Sequence, residues 1–92
     1  MSRKQPVYNY TTKNDLNRLI RYRQAELTVE HGRKYLIRDI EQDMANYCDV
    51  SLDYVKALKR GLSQPSLAVA LMIAEYFKGD VNEIFTLIEK ED

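Results

Sequence analysis

The sequence has one cysteine, two prolines, three glycines and no tryptophan in 92 residues, and its formal charge sums to zero. A single cysteine closes no disulfide within the chain and offers no second thiolate to a structural zinc site, which points to a reducing, cytoplasmic setting. So few turn-forming residues exclude an all-β sandwich or barrel, whose strands need a turn signal roughly every 8 to 12 residues. Apolar runs such as Leu67 to Ile73 fall far short of the roughly 20 residues that a bilayer requires, so no membrane partner is expected. No charged start leads into an apolar core, so export is not expected either.

What is present suits one small soluble domain. Hydrophobic residues make up 45% of the chain and charged residues 30%, a balance that supports a packed core rather than a disordered tail. The charge is unevenly spread. Residues 1–38 hold nine Lys or Arg against three acids, whereas residues 39–55 hold five acids and no base. Lys56, Lys59 and Arg60 form a short basic cluster, and from Gly61 onward two lysines face six acids. The basic front calls for an anionic neighbour, either DNA phosphate or the chain's own acidic middle.

Residues 1–12 have no helical period and read as an arm, ahead of a domain over residues 13–90. From Asn14, the apolar positions Leu16, Leu19, Ile20 and Leu27 recur at helical spacing and predict a first helix. Thr28 to Tyr35 is polar, contains Gly32, and reads as a connection. A second helix is expected from Leu36 to about Cys48, with Leu36, Ile37, Ile40, Met44 and Cys48 on one face and Asp39, Glu41, Gln42 and Asp43 toward water. A third follows the cap residue Ser51, with Leu52, Val55 and Leu58 inward and Gly61 at its end. Pro65 and Ser66 open a fourth, apolar nearly all round from Leu67 to Phe77 and stopped by Gly79. Asp80 and Glu83 read as the capping box of a fifth, carried by Val81, Ile84, Phe85 and Ile88. The expected fold is therefore all-α, a bundle of about five helices.

Met44, Ala45, Cys48, Val50, Val55 and Leu58 have the spacing of two helices crossing at a tight turn. Such a crossing needs a small residue where the backbones approach, here Ala45, and apolar side chains from the turn and the second helix facing back. The run MANYCDVSLDYVKALKRG from Met44 to Gly61 resembles the helix-turn-helix of the phage repressor and Cro-like family, often called the Xre family. The downstream run PSLAVALMIAEYFKGDVNEIF follows in register, through its Pro-Ser-Leu opening, its Ile-Ala pair and its closing Glu-Ile-Phe.

The resemblance implies a lambda-repressor-like fold and a cytoplasmic, sequence-specific transcription regulator, such as a repressor, that binds double-stranded DNA as a homodimer. Its second motif helix would enter the major groove, which assigns DNA contact to Ser51, Leu52, Asp53, Tyr54, Lys56, Lys59 and Arg60. Several residues depart from the family pattern. Asp49 stands where the family favours glycine, and the connection before the second helix is longer than in compact members. Glu41 matches a position that often offers Gln to a phosphate, and Glu41, Asp43 and Asp53 would repel the DNA backbone. A second reading makes the acidic helix face a docking surface for a basic protein partner.

No catalytic constellation is visible, and no metal or cofactor is expected. His31, the only histidine, has no second ligand or nucleophile beside it in sequence, and Cys48 falls on an apolar stripe where a free thiol acts as a small hydrophobe. Seven tyrosines are many for this length and serve packing as readily as interfaces.

Overall fold

The helices begin and end on chemistry the sequence carries. The computed structural model describes residues 9–90, running β1 (Tyr10–Asn14), α1 (Leu16–His31), α2 (Ile37–Cys48), α3 (Leu52–Arg60), α4 (Leu67–Phe77), α5 (Val81–Ile84) and β2 (Phe85–Glu89). The Ser51 and Ser66 hydroxyls accept the Tyr54 and Val69 amides at 3.0 and 3.2 Å, and Asp80 accepts the Asn82 amide at 2.8 Å. Each such cap satisfies one orphan donor of a first turn and is worth about 1 kcal/mol. At α2, Leu36 has no acceptor in its side chain, and Asp39 instead reaches back to take the Leu36 amide at 2.8 Å.

Two helix ends differ from expectation. The first helix continues through Thr28 to His31, because Gly32 (φ 65°) supplies the left-handed cap and donates to the Thr28 carbonyl at 3.0 Å. At the end of α4 the left-handed residue is Lys78 (φ 55°), not Gly79, although Gly79 still closes the turn by donating to the Ala74 carbonyl at 2.9 Å.

The larger correction concerns the chain ends. The fifth helix, expected through Ile88, stops at Ile84, and Phe85–Glu89 pairs antiparallel with Tyr10–Asn14 in the register Tyr10↔Glu89 to Asn14↔Phe85. Among the described residues the fold is mostly helical, with five helices, but the small sheet means that it is not all-α. Tyr10 to Thr12, assigned above to the arm, belong to β1, and residues 1–8 of that arm lie outside the described residues. The physical reason is that Phe, Thr and Ile tolerate either backbone, and paired β-branched and aromatic side chains favour a strand once a partner edge exists. The Asp15 amide, which donates to the Ile84 carbonyl at 3.1 Å, and the Lys90 amide, which donates to the Asn9 carbonyl at 2.7 Å, bracket the pairing.

Leu16, Ile20, Ile40, Met44, Ala45, Val55, Leu58 and Ile73 are each no more than 1% exposed and form the core shared by the first four helices. Ala45 is fully buried, and its carbonyl accepts the Val50 amide at 3.0 Å across the three-residue connection between α2 and α3. Cys48 lies in this core, where burial pushes its thiol pKa up. Three expected core residues are exposed instead: Leu36, and on α4 Leu67 and Leu71. α4 buries only Ala70, Ile73 and Ala74, so one neighbouring layer covers it rather than a surround. Among the described residues no helix is long and apolar enough to cross a membrane.

Candidate functional site

α2 ends on Asp49, whose backbone is left-handed (φ 55°), a conformation that Asp reaches more cheaply than most non-glycine residues. Val50 and Ser51 complete the connection, and α3 starts under the Ser51 cap. Val55 and Leu58 fix the roll of α3 by pointing into the core. With those positions inside, Asp53, Lys56 and Arg60 fall at i, i+3 and i+7 on the exposed stripe.

The seven residues assigned to DNA contact therefore divide. Ser51, Asp53, Lys56 and Arg60 are exposed, while Leu52 and Tyr54 are half-buried, with the Tyr54 hydroxyl 3.4 Å from the Gln64 carbonyl. Lys59 is turned inward. Its Nζ stands 2.8 Å from Glu41 Oε2, and the two side chains are 21% and 5% exposed. The contact is an ion pair without the alignment of a hydrogen bond, which leaves Glu41 Oε2 without a hydrogen-bond partner. Lys59 thus neutralises a buried carboxylate, and Glu41 faces α3 rather than water. The helical period alone had placed both outward; a buried acid paired with a base 18 residues away on the next helix has no periodic signature.

Other acids of the middle segment also have partners inside the molecule. Asp39 caps α2, and Asp43 accepts the Tyr76 hydroxyl at 2.7 Å. Burial, then this hydrogen bond, push the Tyr76 pKa far up. The Tyr47 hydroxyl similarly donates to Glu75, and that bond raises its pKa. Asp39, Asp43, Asp49 and Asp53 all remain exposed.

The terminal sheet contributes residues that no motif pointed to. The Thr12 amide donates to Gln64 Oε1 at 3.2 Å, its hydroxyl donates to the same oxygen, and Asn14 Nδ2 donates to the Leu58 carbonyl at 2.7 Å. These bonds set β1 against the C-terminal end of α3 and form a shallow cleft of about 320 Å³ that includes Lys13 and Arg60. The pair Thr11-Thr12 was the available sequence signal, since two adjacent β-branched residues favour a strand.

His31 is exposed, 4.0 Å from Glu30, and tilted against Tyr35, whose ring carries the Arg33 guanidinium at 4.0 Å. Among the described residues no group of three or more His, Cys, Asp or Glu side chains is placed to hold a metal ion. No protein-family model, curated protein or solved structure matches this chain.

Proposed function

We propose that this protein is a sequence-specific DNA-binding transcription regulator, a helix-turn-helix domain of the phage repressor and Cro-like kind working in the cytoplasm. α3 inserts into the major groove with Asp53, Lys56 and Arg60 outward. The observation that carries the reading is the unit from Ala45 to Arg60: a fully buried alanine at the crossing, a three-residue connection with left-handed Asp49, and a Ser51-capped helix that presents one polar stripe. Lys56 and Arg60 hold phosphates, and Asp53 accepts from a cytosine amino group or is a net penalty elsewhere.

The internal pairing of Glu41 supports DNA over a basic protein partner. Glu41 is neutralised by Lys59 and is free neither to repel phosphate nor to dock a basic surface, whereas Asp39 and Asp43 accept hydrogen bonds from neutral donors and keep their charge at the surface. The regulator acts as a homodimer. Exposed apolar side chains on α4 (Leu67, Leu71, Met72) and on β2 (Leu87, Ile88) are the available contact, and they replace the last helix, which at four residues is too short for that role.

The test is a salt titration of binding to random and genomic duplexes. A double variant, Lys56→Ala with Arg60→Ala, is expected to weaken binding on every sequence and to reduce the slope of log affinity against log salt by about two. Asp53→Asn should strengthen nonspecific binding and relax any sequence preference. Full affinity in the double variant overturns groove insertion.

A further inference from the structure

Two non-glycine residues among those described have a left-handed backbone, Asp49 and Lys78, both at φ 55°. Asp has a short polar side chain that eases this conformation, and Lys has none. Strain of this kind is removed at no steric cost by glycine. Yet the glycine sits one residue later, at Gly79, outside the left-handed region. Lys78 takes this conformation as the C-cap of α4, which fixes its backbone at the rim of a cleft.

Lys78 borders a cleft of about 390 Å³ between α1 and the end of α4. One wall is aromatic: the rings of Tyr76 and Phe77 meet edge to face at 4.9 Å, and the Tyr76 hydroxyl is tied to Asp43, which holds its ring in place. Across the cleft, Tyr22 is 64% exposed. The charged lining is three cations, Arg18, Arg23 and Lys78, against Glu26 alone. Arg18 is occupied by Asp15 at 2.6 Å, Arg23 reaches Glu26 at 3.5 Å and also lies against the Tyr76 hydroxyl, and Lys78 has no ion-pair partner among the described residues, which leaves Lys78 as the open cation.

We infer that this cleft binds a small aromatic anion: a planar ring between Tyr22 and the Tyr76–Phe77 wall, with its carboxylate, sulfonate or phosphate toward Lys78 and Arg23. The volume lies at the lower end of the range for small-ligand sites. The walls supply what such a ligand needs, ring faces for stacking and cations for charge-assisted hydrogen bonds. A duplex backbone offers the anion without a free ring, so this site is separate from the α3 stripe and does not rest on the DNA reading.

The probe is anilinonaphthalene sulfonate, with neutral phenylnaphthylamine as its uncharged counterpart, titrated by fluorescence into the full chain. Saturable one-site binding of the anion is expected, with the neutral dye about tenfold weaker, the value of one charge-assisted contact. Lys78→Gly is the deciding variant because it relieves the backbone: Tm should rise while affinity for the anion falls about tenfold. That opposition separates lost binding from a damaged fold. Arg23→Gln should also lower affinity. Undiminished dye affinity in Lys78→Gly, equal affinity for the two dyes, or no saturable binding overturns the site. Displacement of the dye by a polyglutamate peptide but not by naphthoate overturns the small-ligand assignment in favour of an acidic polypeptide.

Discussion

The α2–α3 unit and the β1–β2 sheet are both two-element units joined by short hydrogen bonds, yet they are assembled from opposite kinds of information. α2 and α3 are neighbours in sequence, three residues apart, and their boundaries rest on local groups: Asp39, Asp49, Ser51 and Gly61. β1 and β2 come from the two ends of the chain and exist only because α1 to α5 carry those ends to the same place. Contacts of low sequence separation are selected by nearby side chains, whereas a strand pair across a whole domain is selected by everything between.

That contrast is sharpest at the Glu41–Lys59 pair, an ion pair that ties α2 to α3. Lys59→Met should destabilise the fold by about 3 kcal/mol, because it strands a buried carboxylate. Adding Glu41→Leu should return denaturant stability to near the parent value, since a buried pair replaced by packed apolar groups is often neutral or better. If Lys59→Met unfolds at the parental midpoint, the pair is not buried as described.

Ala45→Leu breaks the same unit at the helix crossing. Forcing three heavy atoms into a fully buried contact should cost about 1–3 kcal/mol in thermal or urea unfolding. Unchanged stability would mean that α2 and α3 do not approach closely at Ala45.

The smallest effect is expected where the sheet meets the helices. Asn14→Ala removes the bond to the Leu58 carbonyl and the one that Asn14 Oδ1 accepts from the Leu16 amide at 3.1 Å, for about 1–2 kcal/mol in all. Amide exchange supplies the comparison directly: in this variant the β1 and β2 amides should exchange markedly faster while the α2 and α3 amides accelerate least, because the sheet opens as a separate unit. Uniform acceleration through both regions would show that the two are one cooperative body.

Much of the helical frame was legible because its signals are local. Ser51, Ser66 and Gly61 acted where their chemistry said, and Leu16, Ile20, Ile40, Met44, Val55 and Leu58 took the inward face that a period of 3.6 assigns. Glu41 and Lys59 were misplaced by the same rule, since periodicity sorts apolar from polar but does not foresee two opposite charges burying each other. Leu67 and Leu71 were misplaced in the other direction: an apolar helix face becomes core only if another element arrives to cover it.

The sequence by itself determined where four of the helices start and that Ala45, Val55 and Leu58 are core residues, because these follow from side chains within a turn or two of one another. Only the tertiary structure decided that Phe85–Glu89 is a strand, that Lys59 serves Glu41 instead of solvent, and that Tyr22, Tyr76, Phe77 and Lys78 line one cleft. In each of these the partner lies far along the chain, and the backbone or side-chain position a residue adopts is set by the free energy of that distant contact rather than by its own propensity.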